Sequence, residues 1–206
     1  MTRDKTRSTA TNVRGEPLRQ NVLDAAERLL QEGKANFSMR DLAAEAGVSF
    51  ATPFNQFGNK AALMHALAAR RIETVVKRFA ERRLPPLAAD RVLLAIDIAI
   101  AGILEKPEVN RVVMGWIGTS GPAPGNILAQ SKALWAMALG DGDGLPEAYR
   151  ERTLRFLPGQ LAFGFRGVLS FWTAGELPDD ALAMQAREVA ETLLRGLANP
   201  GADCHP

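Results

Sequence analysis

Residue types that form disulfides and metal centres are scarce in this 206-residue chain. It contains one cysteine, Cys204, and two histidines, His65 and His205. A single cysteine excludes an intrachain disulfide, and the histidines lack neighbours at metal-ligand spacing. We therefore expect no metal and no cofactor.

Long hydrophobic runs are missing as well. The longest apolar run, residues 92–104, is 13 residues long and contains Asp97, whereas a membrane-spanning helix needs about 20 residues. Residues 1–12 are polar and basic, unlike a secretory signal peptide. These features favour a cytoplasmic protein with no membrane partner.

Complete catalytic motifs are also lacking. Residues 118–122, Gly-Thr-Ser-Gly-Pro, have proline where a nucleophile elbow needs its second glycine. Residues 141–144, Asp-Gly-Asp-Gly, supply only part of a calcium loop, and the glycines at 140–144 follow no predicted strand. We expect a protein that is not an enzyme.

Positive charge is concentrated in the first part of the chain. The formal net charge is only +2. Up to Arg83 there are 15 Lys and Arg against 9 Asp and Glu, and beyond it 10 against 14. This distribution favours a polyanion-binding module joined to a part that does not bind polyanions.

Helical periodicity with no strand alternation predicts an all-α chain. Ser38, with Asp41 three residues later, predicts a capped second helix that Gly47 ends. Ser49 is expected to cap a short third helix, and Asn59 a long fourth one. Two helices joined by a tight glycine turn are how many proteins present side chains to the DNA major groove.

Breaks in the pattern predict the domains and the later helices. Pro85-Pro86 marks the main boundary. The predicted segments are a flexible basic arm at 1–16, a helix-turn-helix domain at 17–60, a connecting helix at 61–83, a C-terminal domain at 84–199 and a tail at 200–206. In the C-terminal domain we expect helices at 90–105, 108–117, 126–139 with Asn126 as its cap, a segment to about 155, then 158–173 and 179–198.

Many residues after the arm share their order and spacing with one known family. They are Val22-Leu23-Asp24-Ala25-Ala26, Gly33, Ser38-Met39-Arg40-Asp41-Leu42-Ala43, Ala46-Gly47-Val48-Ser49, Thr52, Phe54, Phe57, Lys60 and Leu63. This third of the chain resembles the tetracycline-repressor (TetR) family of bacterial regulators, and residues 171–197 resemble its closing helix pair more loosely. The resemblance implies a three-helix DNA-binding domain and a helical ligand-binding and dimerisation domain. It also implies a homodimer formed by the last two helices, a palindromic double-stranded operator and a small-molecule effector.

Side chains near the start of the third helix are the predicted base contacts. Asn55 and Gln56 suit adenine, while Phe50 and Ala51 suit thymine methyl groups. The resemblance places Thr52 and Lys60 on phosphates. The full predicted DNA-binding set is Arg40, Ser49, Phe50, Ala51, Thr52, Phe54, Asn55, Gln56 and Lys60, with Arg3, Lys5, Arg7 and Arg14 of the arm following the DNA backbone or minor groove.

Two residues of this helix depart from the expected pattern. The family usually has Tyr where Phe54 stands, so a phosphate-binding hydroxyl is lost. Pro53 has no N–H to donate inside a helix. We expect Phe54 and Phe57 to serve mainly the small core.

Apolar and aromatic residues of the second domain predict a ligand pocket. The candidates are Asp97, Met114, Trp116, Trp135, Met137 and Phe163. Each also suits an ordinary core position, and Asp97 the solvated edge. A flat or hydrophobic ligand would fit such a pocket.

Small and large apolar residues near the C-terminus predict a dimer seam. Ala162, Gly164 and Gly167 permit close helix approach, and Phe165, Leu169 and Trp172 would fill the seam; packing within one chain is the alternative.

The sequence therefore predicts a sequence-specific, homodimeric DNA-binding regulator. The preferred hypothesis is a repressor released from its operator by a small apolar or aromatic ligand. A ligand-independent DNA-binding or architectural protein is the alternative, and an all-α enzyme is a weaker one.

Overall fold

The computed structural model describes residues 9–118 and 126–198, and the regular structure within these ranges is entirely helical. The α-helices are α1 (Thr9–Gln31), α2 (Met39–Glu45), α3 (Ala51–Phe57), α4 (Lys60–Ala80), α5 (Ala88–Leu104), α6 (Pro107–Gly115), α7 (Ile127–Leu139), α8 (Arg150–Thr173) and α9 (Asp179–Ala198). Short 3₁₀ turns cover Trp116–Gly118 and Glu147–Tyr149. The described ranges contain no helix long and hydrophobic enough to cross a membrane. The predicted all-α fold is confirmed.

Local signals positioned the helices of the N-terminal domain. Ser38 Oγ accepts a hydrogen bond from the Asp41 amide, while the Asp41 carboxylate accepts one from the Ser38 amide at 2.8 Å. Asn59 Oδ1 likewise accepts from the Ala62 amide at the start of α4. Gly47, at φ +64°, makes the turn between α2 and α3, because this backbone conformation is strained for residues with a Cβ.

Two expected helix starts are wrong, and one expected cap residue holds its position without a side-chain hydrogen bond. α1 begins at Thr9 instead of residue 17, so part of the predicted arm, with Arg14, is helical, whereas Arg3, Lys5, Arg7 and the predicted tail lie outside the described residues. Ser49 does not cap α3, since Phe50 holds that position and the Ser49 hydroxyl pairs with that of Thr52 at 2.8 Å. Asn126 makes no side-chain cap.

Pro158 does not break the helix as expected. It lies inside the continuous helix α8, where Leu157, Pro158 and Leu161 are all buried. An internal proline costs about 3 kcal/mol through a lost hydrogen bond and a steric clash. The apolar face that α8 presents to α7 and α9 extends past Pro158 on both sides, and its burial outweighs that cost.

Two hydrophobic cores share helix α4. Leu63 and Leu67, in its first half, pack with α1 and α2 and with Val113 of α6. Val75 and Phe79, in its second half, pack with α5, α7, α8 and α9. The predicted connecting helix therefore belongs to both cores, which makes α4 a physical link between them.

Arg91 holds the C-terminal end of α7. It is buried at the start of α5, and its guanidinium donates to the Ala138 and Leu139 carbonyls at 3.0 and 2.8 Å and to the Pro86 carbonyl at 2.7 Å. Helix-terminal carbonyls lack partners within their own helix. Arg91 satisfies them and places a positive charge at the negative end of the helix dipole.

Candidate DNA interface and ligand cavity

One face of α3 is open to solvent and the other is packed. Pro53 and Phe57 are buried, whereas Ala51 and Asn55 are exposed. Phe50 and Phe54 are 53% and 40% exposed, and their rings meet edge-on with centroids 5.3 Å apart. The expectation that Phe54 serves mainly the core is therefore wrong, because its ring stacks on Phe50 outside that core.

Neighbouring helices hold α3 and extend its exposed surface. Arg19 of α1 donates to the Gln56 carbonyl at 2.9 Å and stacks over the Phe57 ring. Arg40 of α2 is exposed, with its guanidinium carbon 5.5 Å from the Phe50 ring centroid. The structure thus brings Arg40 beside the predicted base-contact residues of α3.

Lys60, the predicted phosphate contact, also makes contacts within the chain. Its ammonium donates to the Ala35 and Phe37 carbonyls at 2.8 and 2.7 Å and sits 4.1 Å from the Phe37 ring centroid. Burial lowers the pKa of Lys60. These carbonyls belong to the loop between α1 and α2, so Lys60 connects that loop to the start of α4.

The arrangement of α2, α3 and the turn at Gly47 is the one found in bacterial regulators. Residues 22–67 match the family model described as bacterial regulatory proteins, tetR family. The N-terminal domain of this chain is thus similar to that of the TetR family. The matched segment covers α2 and α3 completely, together with the C-terminal part of α1 and the start of α4.

Solved structures extend the likeness of fold to the second domain. A TetR transcriptional regulator from Rhodococcus sp. RHA1 superposes with a TM-score of 0.69 at 21% identity, covering 86% of this chain and 96% of that one. A protein of unknown function from the same organism gives 0.52 at 26% identity, covering 88% and 96%. No curated protein matches the sequence. The chain thus shares an all-α fold with these two proteins over most of its length.

A cavity of about 600 Å³ lies among helices α4 to α8, with Glu27 of α1 at its wall. Met114, Trp135 and Phe163, three of the predicted pocket residues, line it. Most of its wall is apolar and comes from α4 to α8, including Ile72, Val75, Ile103, Leu134 and Leu169. Its size and lining are typical of a small-molecule site.

Three other predicted pocket residues do not line the cavity. Asp97 accepts a hydrogen bond from Arg187 of α9 at 2.6 Å and is exposed. It therefore occupies the solvated edge, the alternative position expected for it. Met137 is exposed on α7. Trp116 packs against the N-terminal core, where its carbonyl accepts a hydrogen bond from His65 Nε2 at 3.1 Å. Their side chains point to neighbours that the periodicity of a single helix does not reveal.

A polar network at the cavity was missed by sequence analysis. Arg71 of α4 bonds to Glu27 of α1 and donates to Asn110 of α6 at 2.9 Å. Arg70 lies 3.0 Å from Glu27. Burial alone would raise the pKa of Glu27, but Arg71 and Arg70 outweigh it and hold that pKa below its usual value. These partners lie about 40 residues apart in sequence, so no local spacing indicated the network.

The predicted dimer seam is largely internal to one chain. Trp172 is fully buried and donates to Asp179 at 2.7 Å, Leu169 is buried, and the Phe165 ring packs 5.4 Å from that of Trp135. A Cβ on Gly164 would lie 2.7 Å from Val189 of α9. Packing within one chain, the alternative left open by the sequence, therefore accounts for these residues.

A different row of α8 residues faces solvent. Phe156, Phe163 and Phe171 are exposed, the last by 58%, and they follow helical spacing along one side. A Cβ on Gly167, between them, would meet no atom within 4 Å. We call Phe156, Gln160, Phe163, Gly167 and Phe171 the outer stripe of α8.

Proposed function

We propose that this chain is a homodimeric transcriptional repressor that binds a palindromic operator through α3 and is released by a small molecule bound in the cavity. The observation that carries the proposal is the continuity of α4. The same helix packs into the DNA-binding core at one end and forms a wall of the cavity further along.

The DNA interface that we propose is the exposed side of α3 together with Arg40. Asn55 supplies a donor and an acceptor suited to adenine, and Gln56 lies beside it at the edge of this face. The Phe50–Phe54 pair is an apolar surface suited to thymine methyl groups. We propose that Arg40, Ser49 and Thr52 contact the phosphates that flank these bases, with Arg40 supplying the charge.

A dimer follows from the amount of sequence that one short helix can contact. A seven-residue helix reads few base pairs, and a useful site needs two such half-sites about 34–36 Å apart. The outer stripe of α8 supports dimerisation by the last two helices, since its three exposed phenylalanines leave apolar surface in water. Gly167 lets a second helix approach this surface closely.

Ligand control is proposed because the cavity reaches the helices that hold α3. Glu27 of α1 and both His65 and Arg71 of α4 line it. α1 also anchors α3 through the Arg19 bond to the Gln56 carbonyl. A ligand that shifts α1 relative to α4 would change the separation of the two recognition helices. A coupling free energy of about 1–3 kcal/mol would weaken operator binding 5–150-fold.

Selection of bound fragments from genomic DNA by the purified full chain at physiological salt tests this function. We expect enrichment of one short palindrome. Asn55→Ala should abolish the enrichment, whereas Asn36→Ala, which replaces an exposed asparagine of the α1–α2 loop, should leave it intact. Binding that enriches no sequence and collapses with added salt would mean backbone contacts alone and would favour the architectural alternative.

A further inference from the structure

We infer that the ligand of the cavity is an amphipathic anion, with an apolar body along the cavity wall and a carboxylate or similar anionic group paired with Arg166. The inference rests on the proposed ligand-responsive function and adds the chemical class of the effector.

Arg166 of α8 is a half-buried cation without a counter-charge. It lines the cavity, and its Nη1 atom is inaccessible to water yet has no hydrogen-bond partner. Among the described residues no carboxylate forms an ion pair with its guanidinium, and burial lowers its pKa. An unpaired buried charge carries a large desolvation cost, which a bound anion would offset.

The other arginines of the cavity are already neutralised. Arg71 is paired with Glu27, and Arg78 with Glu105 at 2.5 Å. These two carboxylates are the only ones that line the cavity within the described ranges, and Lys106 adds a further, exposed cation. The lining therefore has an excess of positive charge. A cationic ligand would find each carboxylate already engaged.

A second group in the wall also requires an acceptor. Trp135 Nε1 is buried and has no hydrogen-bond partner, and an indole N–H can only donate. Arg166 likewise has donors and no acceptor. Two residues that line the cavity thus each carry a donor without a partner, which favours a ligand group rich in acceptor oxygens, while the aliphatic and aromatic wall favours an apolar remainder.

The test compares acids with neutral amides of the same shape by isothermal titration calorimetry on the full chain. The probes are decanoate against decanamide and 2-naphthoate against 2-naphthamide, each below its aggregation limit; decyl phosphate distinguishes a carboxylate site from a phosphate site. We expect at least one anion to bind about 10–100-fold more tightly than its amide, the range that a charge-assisted hydrogen bond supplies.

Variants at one position show whether Arg166 causes the preference. Arg166→Gln should remove the difference between anion and amide, while Arg166→Lys should keep part of it. Arg152→Gln is the matched control, because Arg152 is exposed on the same helix and does not line the cavity. Circular dichroism of each variant reports whether the helices remain folded.

Equal affinity for acid and amide, an unchanged preference in Arg166→Gln, or no binding of any anion at millimolar concentration would each overturn the inference. The operator selection is independent of these titrations. Enrichment of a palindrome without anion binding would leave the proposed function standing and remove the ligand class. Anion binding without DNA enrichment would support the ligand class and contradict the proposed function.

Discussion

Replacing Lys60 by Met should destabilise the protein while leaving the electrostatic part of DNA binding intact. The ammonium makes two hydrogen bonds to loop carbonyls, at 2.7 and 2.8 Å. Each such charged bond contributes about 1.5–3 kcal/mol when fully buried. Lys60 is only partly buried, so solvent screening reduces the pair to about 2 kcal/mol in total. Calorimetry should show a fall in Tm of about 4–8 °C.

The salt dependence of operator binding separates this role from a phosphate contact. The slope of log K against log salt changes by about 0.9 for each phosphate that a cation neutralises. We expect Arg40→Gln to make the slope less steep by about that amount with little change in Tm, since Arg40 is exposed. Lys60→Met should lower Tm and leave the slope unchanged when measured well below the melting transition.

The opposite pattern would refute this reasoning. If Lys60→Met changes the slope by about 0.9 and leaves Tm as it was, the ammonium exchanges the Ala35 and Phe37 carbonyls for a phosphate when DNA binds. Lys60→Arg provides a further check. This variant keeps the charge but replaces the compact ammonium between the two carbonyls and the Phe37 ring with a longer planar group. It should therefore lower Tm and leave the slope unchanged.

Three further changes test other parts of the structure. Arg91→Met should lower the free energy of unfolding by about 3 kcal/mol and Tm by about 6–12 °C, because it leaves buried carbonyls at the end of α7 without a donor. An unchanged melting curve would contradict this role of Arg91. Glu27 has a lowered pKa in the folded protein, so its contribution to stability is present above the unfolded-state value of about 4.3 and is lost as pH falls through the folded value. The Tm difference between wild type and Glu27→Gln, measured from pH 7 to pH 3, should therefore shrink on acidification, and a difference constant across that range would refute the assignment. Phe171→Glu on the outer stripe should shift the sedimentation equilibrium towards monomer, whereas Leu84→Glu, at an exposed leucine before α5, should not.

Local chemistry explains what could be predicted from the sequence. The Ser38–Asp41 capping box, the turn at Gly47 and the Asn59 cap each involve residues within a few positions of one another, and all three are present. The order and spacing of residues from Val22 to Leu63 were sufficient to indicate the TetR family, which the family model confirms.

Several errors, unlike the local ones at the helix starts, depend on tertiary packing. Pro158 was expected to end a helix, but burial of α8 against its neighbours sustains it. Trp172 was assigned to a dimer seam, although Asp179 and the internal core hold it. Nothing in the sequence distinguishes Arg166 from other arginines in helices. Only its surroundings in the fold show that no carboxylate pairs with it.

An anion in the cavity would also explain how ligand binding reaches α3. A ligand changes an equilibrium only through contacts that differ between the two states. Arg71 lines the same cavity as Arg166 and is held by Glu27 of α1. The negative group of a ligand close to Arg71 would compete with Glu27 for the Arg71 guanidinium. Arg70 would then hold α1 through Asp24 and Glu27. Weakening one of the two arginine contacts between α1 and α4 favours a different packing of these helices, and α1 is the helix that fixes the end of α3. A neutral ligand of the same shape makes no such competition, so it should fill the cavity with less effect on operator binding.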